Sequence, residues 1–150
     1  MSEFLFSQMW TSRAEAGDPV AQFNLAYCYE MGQGTPVNLE AAAKWYLRAA
    51  TQGHARAQYH LGLACSFGGS GVEWDLTEAC KWLTLASRSG IAEATDALRA
   101  LKSKPEDRAL GERLAREFTP VPEPRQPISI PTEAGLQQTF VSPNQLDFSF

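Results

Sequence analysis

Hydrophobic and polar positions along this chain recur as one pattern written twice, from Gly17 to Gln52 and from Gly53 to Ser89, in copies of 36 and 37 residues. Aligned on their leading glycines, Ala21 matches Ala57, Gln22 matches Gln58, Phe23 matches Tyr59, Leu25 matches Leu61 and Tyr27 matches Leu63. A Gly-rich turn follows in each copy, Gly32-Gln33-Gly34 and Gly68-Gly69-Ser70-Gly71, and then Ala42-Ala43-Lys44-Trp45 answers Ala79-Cys80-Lys81-Trp82. The one-residue length difference falls in that turn, where an insertion disturbs least. A unit repeated at this period cannot bury its apolar face alone, so the pattern predicts an all-α fold, a short α-solenoid of antiparallel helix pairs.

The flanks carry weaker versions of the pattern, as terminal repeats do when one face has no neighbour. Met9 stands eight residues before Gly17, as Trp45 does before Gly53 and Trp82 before Gly90. Residues 1–16 therefore read as a cap helix from about Glu3 to Ala16. Residues 17–52 and 53–89 are two full repeats. Residues 90–118 form a divergent third repeat that has lost the Gly-rich turn, and residues 119–150 form a Pro-rich non-helical tail. About seven helices follow: the cap, Asp18 to Met31, Asn38 to Gln52, His54 to Phe67, Asp75 to Ser89, Ile91 to Lys102 and Pro105 to Phe118. Asp18, Asn38 and Asp75 are placed to cap helix starts with a side-chain oxygen, and Gly53 and Gly90 to end helices in the left-handed region.

The stretches Gly17-Asp18-Pro19-Val20-Ala21-Gln22-Phe23-Asn24-Leu25-Ala26-Tyr27-Cys28-Tyr29 and Gly53-His54-Ala55-Arg56-Ala57-Gln58-Tyr59-His60-Leu61-Gly62-Leu63, with Lys-Trp late in each repeat, resemble the Sel-one-like repeat family, relatives of the tetratricopeptide repeats. The resemblance covers Gly17 to Gly90 and fades into the flanking helices. Ala26 stands where the family prefers Gly, and Cys65 where it prefers Tyr. The resemblance implies a non-catalytic scaffold or adaptor whose superhelix offers a concave surface to other proteins.

By the same resemblance, the concave face is expected to carry first-helix positions around Leu25 and Leu61: Phe23, Tyr27, Glu30 and Met31 in one repeat, and Tyr59, Leu63, Ser66 and Phe67 in the next. Arg56 and His60 join them at the rim. Aromatic anchors on a concavity suit an extended peptide or a partner helix. Helical periodicity alone does not separate such a groove from core packing, and that second reading stands for Phe23, Tyr27, Tyr59 and Leu63. Trp45, Tyr46, Trp82 and Leu83, at repeating second-helix positions, are expected in the core. Trp74 lies in the second turn without a counterpart in the first, either exposed to a partner or folded back on its own hairpin.

One branch of the family carries a disulfide between the helices of each repeat. Cys65 and Cys80 occupy both helices of one hairpin, but the first repeat lacks such a pair and Cys28 has no evident partner; small buried thiols are the expectation. His54 and His60 are six residues apart and do not share a helix face, and no CxxC, HExxH, phosphate loop or GxSxG is present, so neither catalysis nor a metal or cofactor is expected. His54 is expected at the surface after a helix end. Arg108, Arg113 and Arg116 among Glu106, Glu112 and Glu117 read as a solvated face of mixed ion pairs.

From Thr119 onward, Pro120, Pro122, Pro124, Pro127, Pro131 and Pro143 favour extended chain, and the segment carries Ile128, Ile130, Leu136, Phe140, Val141, Leu146, Phe148 and Phe150. It either lies along its own stack or offers a motif such as Leu146-Asp147-Phe148-Ser149-Phe150 to a second protein, with plain disorder as the third reading.

A hydrophobic share of 44% and a charged share of 20% suit a folded soluble domain, and no apolar run approaches the roughly 18 residues of a membrane span. The first 17 residues lack the pattern of a secretory signal, which gives an expected cytoplasmic location. A net charge of −4 gives no electrostatic reason for nucleic acid or an anionic membrane as partner. The expectation is a non-enzymatic adaptor that binds a protein or peptide; a dedicated chaperone or immunity-type inhibitor masking one client is the alternative.

Overall fold

The computed structural model describes residues 3–68, 74–131 and 137–140. Seven helices follow one another among them: α1 (Glu3–Glu15), α2 (Pro19–Met31), α3 (Leu39–Thr51), α4 (Ala55–Phe67), α5 (Leu76–Arg88), α6 (Ala92–Ala100) and α7 (Pro105–Glu117). A short antiparallel pair, β1 (Ile128–Pro131) and β2 (Gln137–Phe140), closes the described chain. Gly69, Ser70 and Gly71 of the second turn, and Leu136, Val141, Pro143 and the Leu146–Phe150 motif, lie outside the described residues.

The helix starts follow from their caps. Asp18 Oδ1 accepts from the amides of Val20 (3.0 Å) and Ala21 (3.5 Å), Asn38 Oδ1 from Ala41 (3.0 Å), and Asp75 Oδ1 from Thr77 (2.9 Å) and Glu78 (3.1 Å). Each such cap satisfies amides that the helix itself leaves unpaired, and each is worth about 1 kcal/mol. Three identical turns then set the stack. Gly17, Gly53 and Gly90 have φ of 97°, 99° and 94°, where a side chain would be strained. Their amides donate back to Ala14, Ala50 and Ser87, and the next residues, Asp18, His54 and Ile91, donate to Arg13, Ala49 and Ala86. The same turn at three junctions carries the repeat geometry into α6, beyond the last full copy.

Alanine makes the helices approach closely. Ala21, Ala26, Ala42, Ala49, Ala50, Ala57, Ala79, Ala86 and Ala94 are all buried, around Leu25, Leu61, Leu83, Tyr46 and Trp82. Trp45 is only partly buried and packs on two of the apolar clusters, with the Arg48 guanidinium 4.6 Å from its ring centre. In place of a third Gly-rich turn, Leu101 to Lys104 bring α7 back against α5. A Cβ on Gly111 would lie 2.5 Å from the Cβ of Cys80, so glycine is what lets these two helices meet. Arg108 departs from the expected solvated face. Its guanidinium turns inward and donates to the carbonyls of Leu98 (3.0 Å) and Leu101 (3.3 Å), satisfying the C-terminal end of α6. Arg113 and Glu117 stay exposed as an ion pair at 4.0 Å.

After Phe118, whose ring meets Trp82 edge-on at 5.5 Å, the chain runs extended across the glycine turns. Prolines 120, 122 and 124 have no amide to satisfy, and the residues between them donate. Val121 N–H bonds to Thr51 O (2.9 Å) and Glu123 N–H to Gln52 Oε1 (3.2 Å); further on, Gln126 N–H bonds to Ala16 O (2.9 Å). Thr51 and Ala16 lie at the ends of α3 and α1, so this strap fills carbonyls the helices leave open.

Candidate protein-binding groove

At the end of the stack opposite the strap, α2, α3 and α4 enclose a groove of about 280 Å³. Leu39, Ala42 and Ala43 of α3 and Leu63, Ala64 and Phe67 of α4 give it apolar walls, while Glu30, Tyr46 and His60 supply its polar groups. Tyr46 donates its phenolic O–H to Glu30 Oε2 at 2.5 Å, and Nδ1 of His60 lies 3.5 Å from the same oxygen. The Tyr46 and His60 rings stack at 4.9 Å. Burial, followed by the adjoining Glu30 carboxylate, holds the Tyr46 phenol far above its ordinary range, so it stays a donor. Burial pushes His60 below the usual imidazole value although Glu30 pulls the other way, which leaves a neutral ring at neutral pH. One carboxylate, oriented by a phenol and flanked by an imidazole, thus faces an apolar cleft and can accept hydrogen bonds from a ligand's ammonium, guanidinium or amide.

Of the expected site residues, Glu30, His60, Leu63 and Phe67 meet in this groove. Phe67 is 83% exposed at its lip and Met31, at the end of α2, is 52% exposed, while Tyr27 sits at the exposed edge of α2. Phe23 and Tyr59 are half-buried. Phe23 stacks on His54 at 4.8 Å and also touches the rings of Tyr46 and His60, without lining the groove itself. Tyr59 packs towards Leu83, Ala86 and Ala94 at the next junction. Arg56 is exposed on α4 and is not among the groove's lining residues. Trp74 combines both of its readings: its indole N–H donates to Ser66 O at 2.9 Å, holding it on its own hairpin, yet the residue is 67% exposed.

Two side-chain placements escaped the sequence reading. Tyr46, expected in the core, is buried but sends its hydroxyl into the groove. His54, expected at the surface, is the N-cap of α4: its Nδ1 accepts from Ala57 N–H at 3.2 Å. The available signal was positional, because His54 occupies the repeat position of Asp18. Cys28, Cys65 and Cys80 are buried free thiols, and burial pushes Cys65 up to about 11. Among the described residues no group of three His, Cys, Asp or Glu side chains converges as a metal site, and no helix is long and apolar enough to cross a membrane.

The Sel1 repeat pattern matches residues 19–54 and 55–91. Over 49 residues the chain is 51% identical to the chitin synthase regulator SKT5 of Saccharomyces cerevisiae, spanning 32% of this chain and 7% of that protein. Over 50 residues it is 42% identical to a sel1-like repeat-containing protein of Acanthamoeba polyphaga mimivirus, 33% of this chain and 9% of that one. Among solved structures it is similar to a protective antigen present in uropathogenic Escherichia coli strains and displaying an SLR fold: TM-score 0.69, 29% identity, 75% of this chain and 24% of that chain. It is also similar to a Sel1 repeat protein from Oxalobacter formigenes, with TM-score 0.53 and 34% identity over 69% of this chain and 45% of that one. The chain thus spans less than a tenth of these curated relatives and less than half of these structures. Sel1-repeat proteins generally mediate protein–protein interactions, and their fold is typically a non-catalytic scaffold. The two matched repeats, their period, their glycine turns and the all-α stack show that residues 19–91 of this chain are a pair of Sel1 repeats.

Proposed function

We propose that the chain is a non-enzymatic adaptor that takes a segment of a partner protein in the groove between α2, α3 and α4, on the concave face of the stack. The observation that carries this reading is the pairing of exposed apolar side chains, Phe67, Leu39 and Met31, with the inward-facing Glu30 carboxylate. Exposed apolar groups clustered on a folded domain are the chemistry of an interaction surface. The chemistry fits an apolar segment carrying one basic or amide-donating side chain, with Phe67 and Leu63 as hydrophobic contacts and Glu30, positioned by Tyr46, as the polar one.

Selection of 12-residue peptides from a display library on the full chain tests it. Enriched peptides should combine aliphatic or aromatic residues with Lys or Arg. Phe67→Ala should weaken their binding by roughly 30-fold, the loss typical of a central aromatic anchor. Because Phe67 is so exposed, the same change should leave folding stability within about 0.5 kcal/mol. Peptides whose binding ignores Phe67→Ala and Glu30→Gln would refute the assignment.

A further inference from the structure

A second site lies away from the groove, and it rests on different residues. Glu123 of the strap is held as a ligand is held. Arg48 presents its fork to both carboxylate oxygens, Nε to Oε1 at 3.0 Å and Nη2 to Oε2 at 2.8 Å, and Gln22 Nε2 adds a third donor at 2.8 Å. Paired N–H donors on one carboxylate give geometric selectivity beyond charge attraction. Gln22 is fully buried and fixed from both ends, its amide nitrogen also bonding Ala14 O and its oxygen accepting from Gln52. Gln52 in turn reads the strap backbone by accepting from Glu123 N–H. Gly17 leaves the room: a Cβ there would lie 3.1 Å from Pro124 O, and Gly17 O accepts from Arg125.

The next junction of the stack lacks this equipment. Gly53 and Gln58 repeat Gly17 and Gln22, but Leu85 and Ser89 stand at the repeat positions of Arg48 and Gln52, so the carboxylate fork and the amide that reads the strap backbone are missing there. The site is therefore a property of the first junction and does not come with the repeat. Its occupant is attached by polar contacts at a surface. The Arg48–Glu123 pair is 40% and 26% exposed, and among the described residues none after Phe118 belongs to the buried apolar clusters. Segments held by main-chain hydrogen bonds and one side-chain pocket are bound in the manner of extended peptide ligands.

We propose that the edge formed by Gly17, Gln22, Arg48 and Gln52 is a peptide-binding site selective for a glutamate within an extended, proline-interrupted segment. Its resident ligand is Pro120–Gln126 of the same chain, exchangeable for a partner-protein segment of the same chemistry. Tethered just after Phe118, the resident segment acts at an effective concentration on the order of millimolar, so a competitor succeeds when it is locally concentrated or anchored elsewhere, as in the groove.

The test uses the full chain and a labelled peptide of the sequence Thr119 to Gln126. Glu123→Arg sets two guanidinium groups against each other and vacates the site. This variant should bind the peptide at least tenfold more tightly than the wild type, whose site is taken. Arg48→Glu should reverse the preference, losing the peptide and accepting a version with arginine in place of its glutamate. The proposal is overturned if the Glu123→Arg chain keeps native helicity yet binds no better than wild type, or if binding ignores the charge at position 48. Loss of helicity in Glu123→Arg would also overturn it, by showing the strap to be part of the fold. In the wild type, the Val121 and Gln126 amides should exchange at least tenfold faster than that of Leu61; equal protection would contradict an exchangeable ligand.

Discussion

Replacing Gly111 by alanine sets two physical effects against each other. On an isolated helix the change gains about 1 kcal/mol, because alanine loses less backbone freedom than glycine. In this fold the added Cβ would lie 2.5 Å from Cys80 Cβ, 2.7 Å from Thr77 O and 3.1 Å from Lys81 N. Each of these belongs to the backbone of α5 or is bonded directly to it, so no rotamer change makes room and α7 must move off α5. Overpacking of this kind costs about 1–3 kcal/mol, and with backbone on the far side the upper end applies. The net expectation is a loss of about 2 kcal/mol. With a urea slope of about 2 kcal/mol/M the midpoint should fall by about 1 M. Ala109→Gly, exposed on the same helix, serves as control and should cost only about 1 kcal/mol through propensity. A Gly111→Ala chain as stable as wild type, or more so, would refute the claim that the α5–α7 contact depends on a missing side chain.

The repeat alignment gives a stabilising change: Gln58 Oε1 is buried without a partner, whereas its counterpart Gln22 accepts from Gln52, so Ser89→Gln should supply the missing donor and add about 1 kcal/mol in urea denaturation. An unchanged or lower midpoint would show that a glutamine at position 89 does not reach. His54 is held below its ordinary 6.5 chiefly by burial, and its cap requires an unprotonated Nδ1, so its contribution is complete above 6.5 and is lost as pH falls through the lowered folded value. His54→Asn, which caps without titrating, should flatten the part of the stability–pH curve due to this residue, leaving the part due to His60; an unaltered curve would contradict the cap. The three buried thiols, with Cys65 raised to about 11, should resist a thiol reagent at pH 8 in the native state and all react in denaturant. Rapid native labelling of Cys65, or a Cys65–Cys80 crosslink in peptide maps, would count against this packing.

Much of the helical stack is legible in the chain because local chemistry and repetition agree. Asp18, Asn38 and Asp75 start helices where an oxygen must meet free amides, and the glycines mark where φ turns positive. His54 escaped because an imidazole is an uncommon cap, although its place in the repeat is that of Asp18. The groove was legible only in outline. A 3.6-residue period puts Phe23, Tyr59, Leu63 and Phe67 on related faces, but which of them meets solvent depends on how far neighbouring hairpins rotate, and Phe23 and Tyr59 turn inward while Phe67 turns out. The Tyr46–Glu30 bond joins two helices across the Gly-rich turn, and no local spacing announces it. The prolines after Thr119 announce extended chain, but its docking position is set by Arg48, Gln52 and Gln22, residues 71 to 101 positions away from Glu123.

The most direct test of the account is to map a display-selected peptide onto the full chain by amide chemical-shift changes. The account predicts that the shifts concentrate at Glu30, Tyr46, His60, Leu63 and Phe67 and disappear on Phe67→Ala, with α5 to α7 unmoved. Shifts centred on α5 to α7, or a pattern unchanged by Phe67→Ala, would place binding elsewhere and contradict the groove as the protein-binding surface.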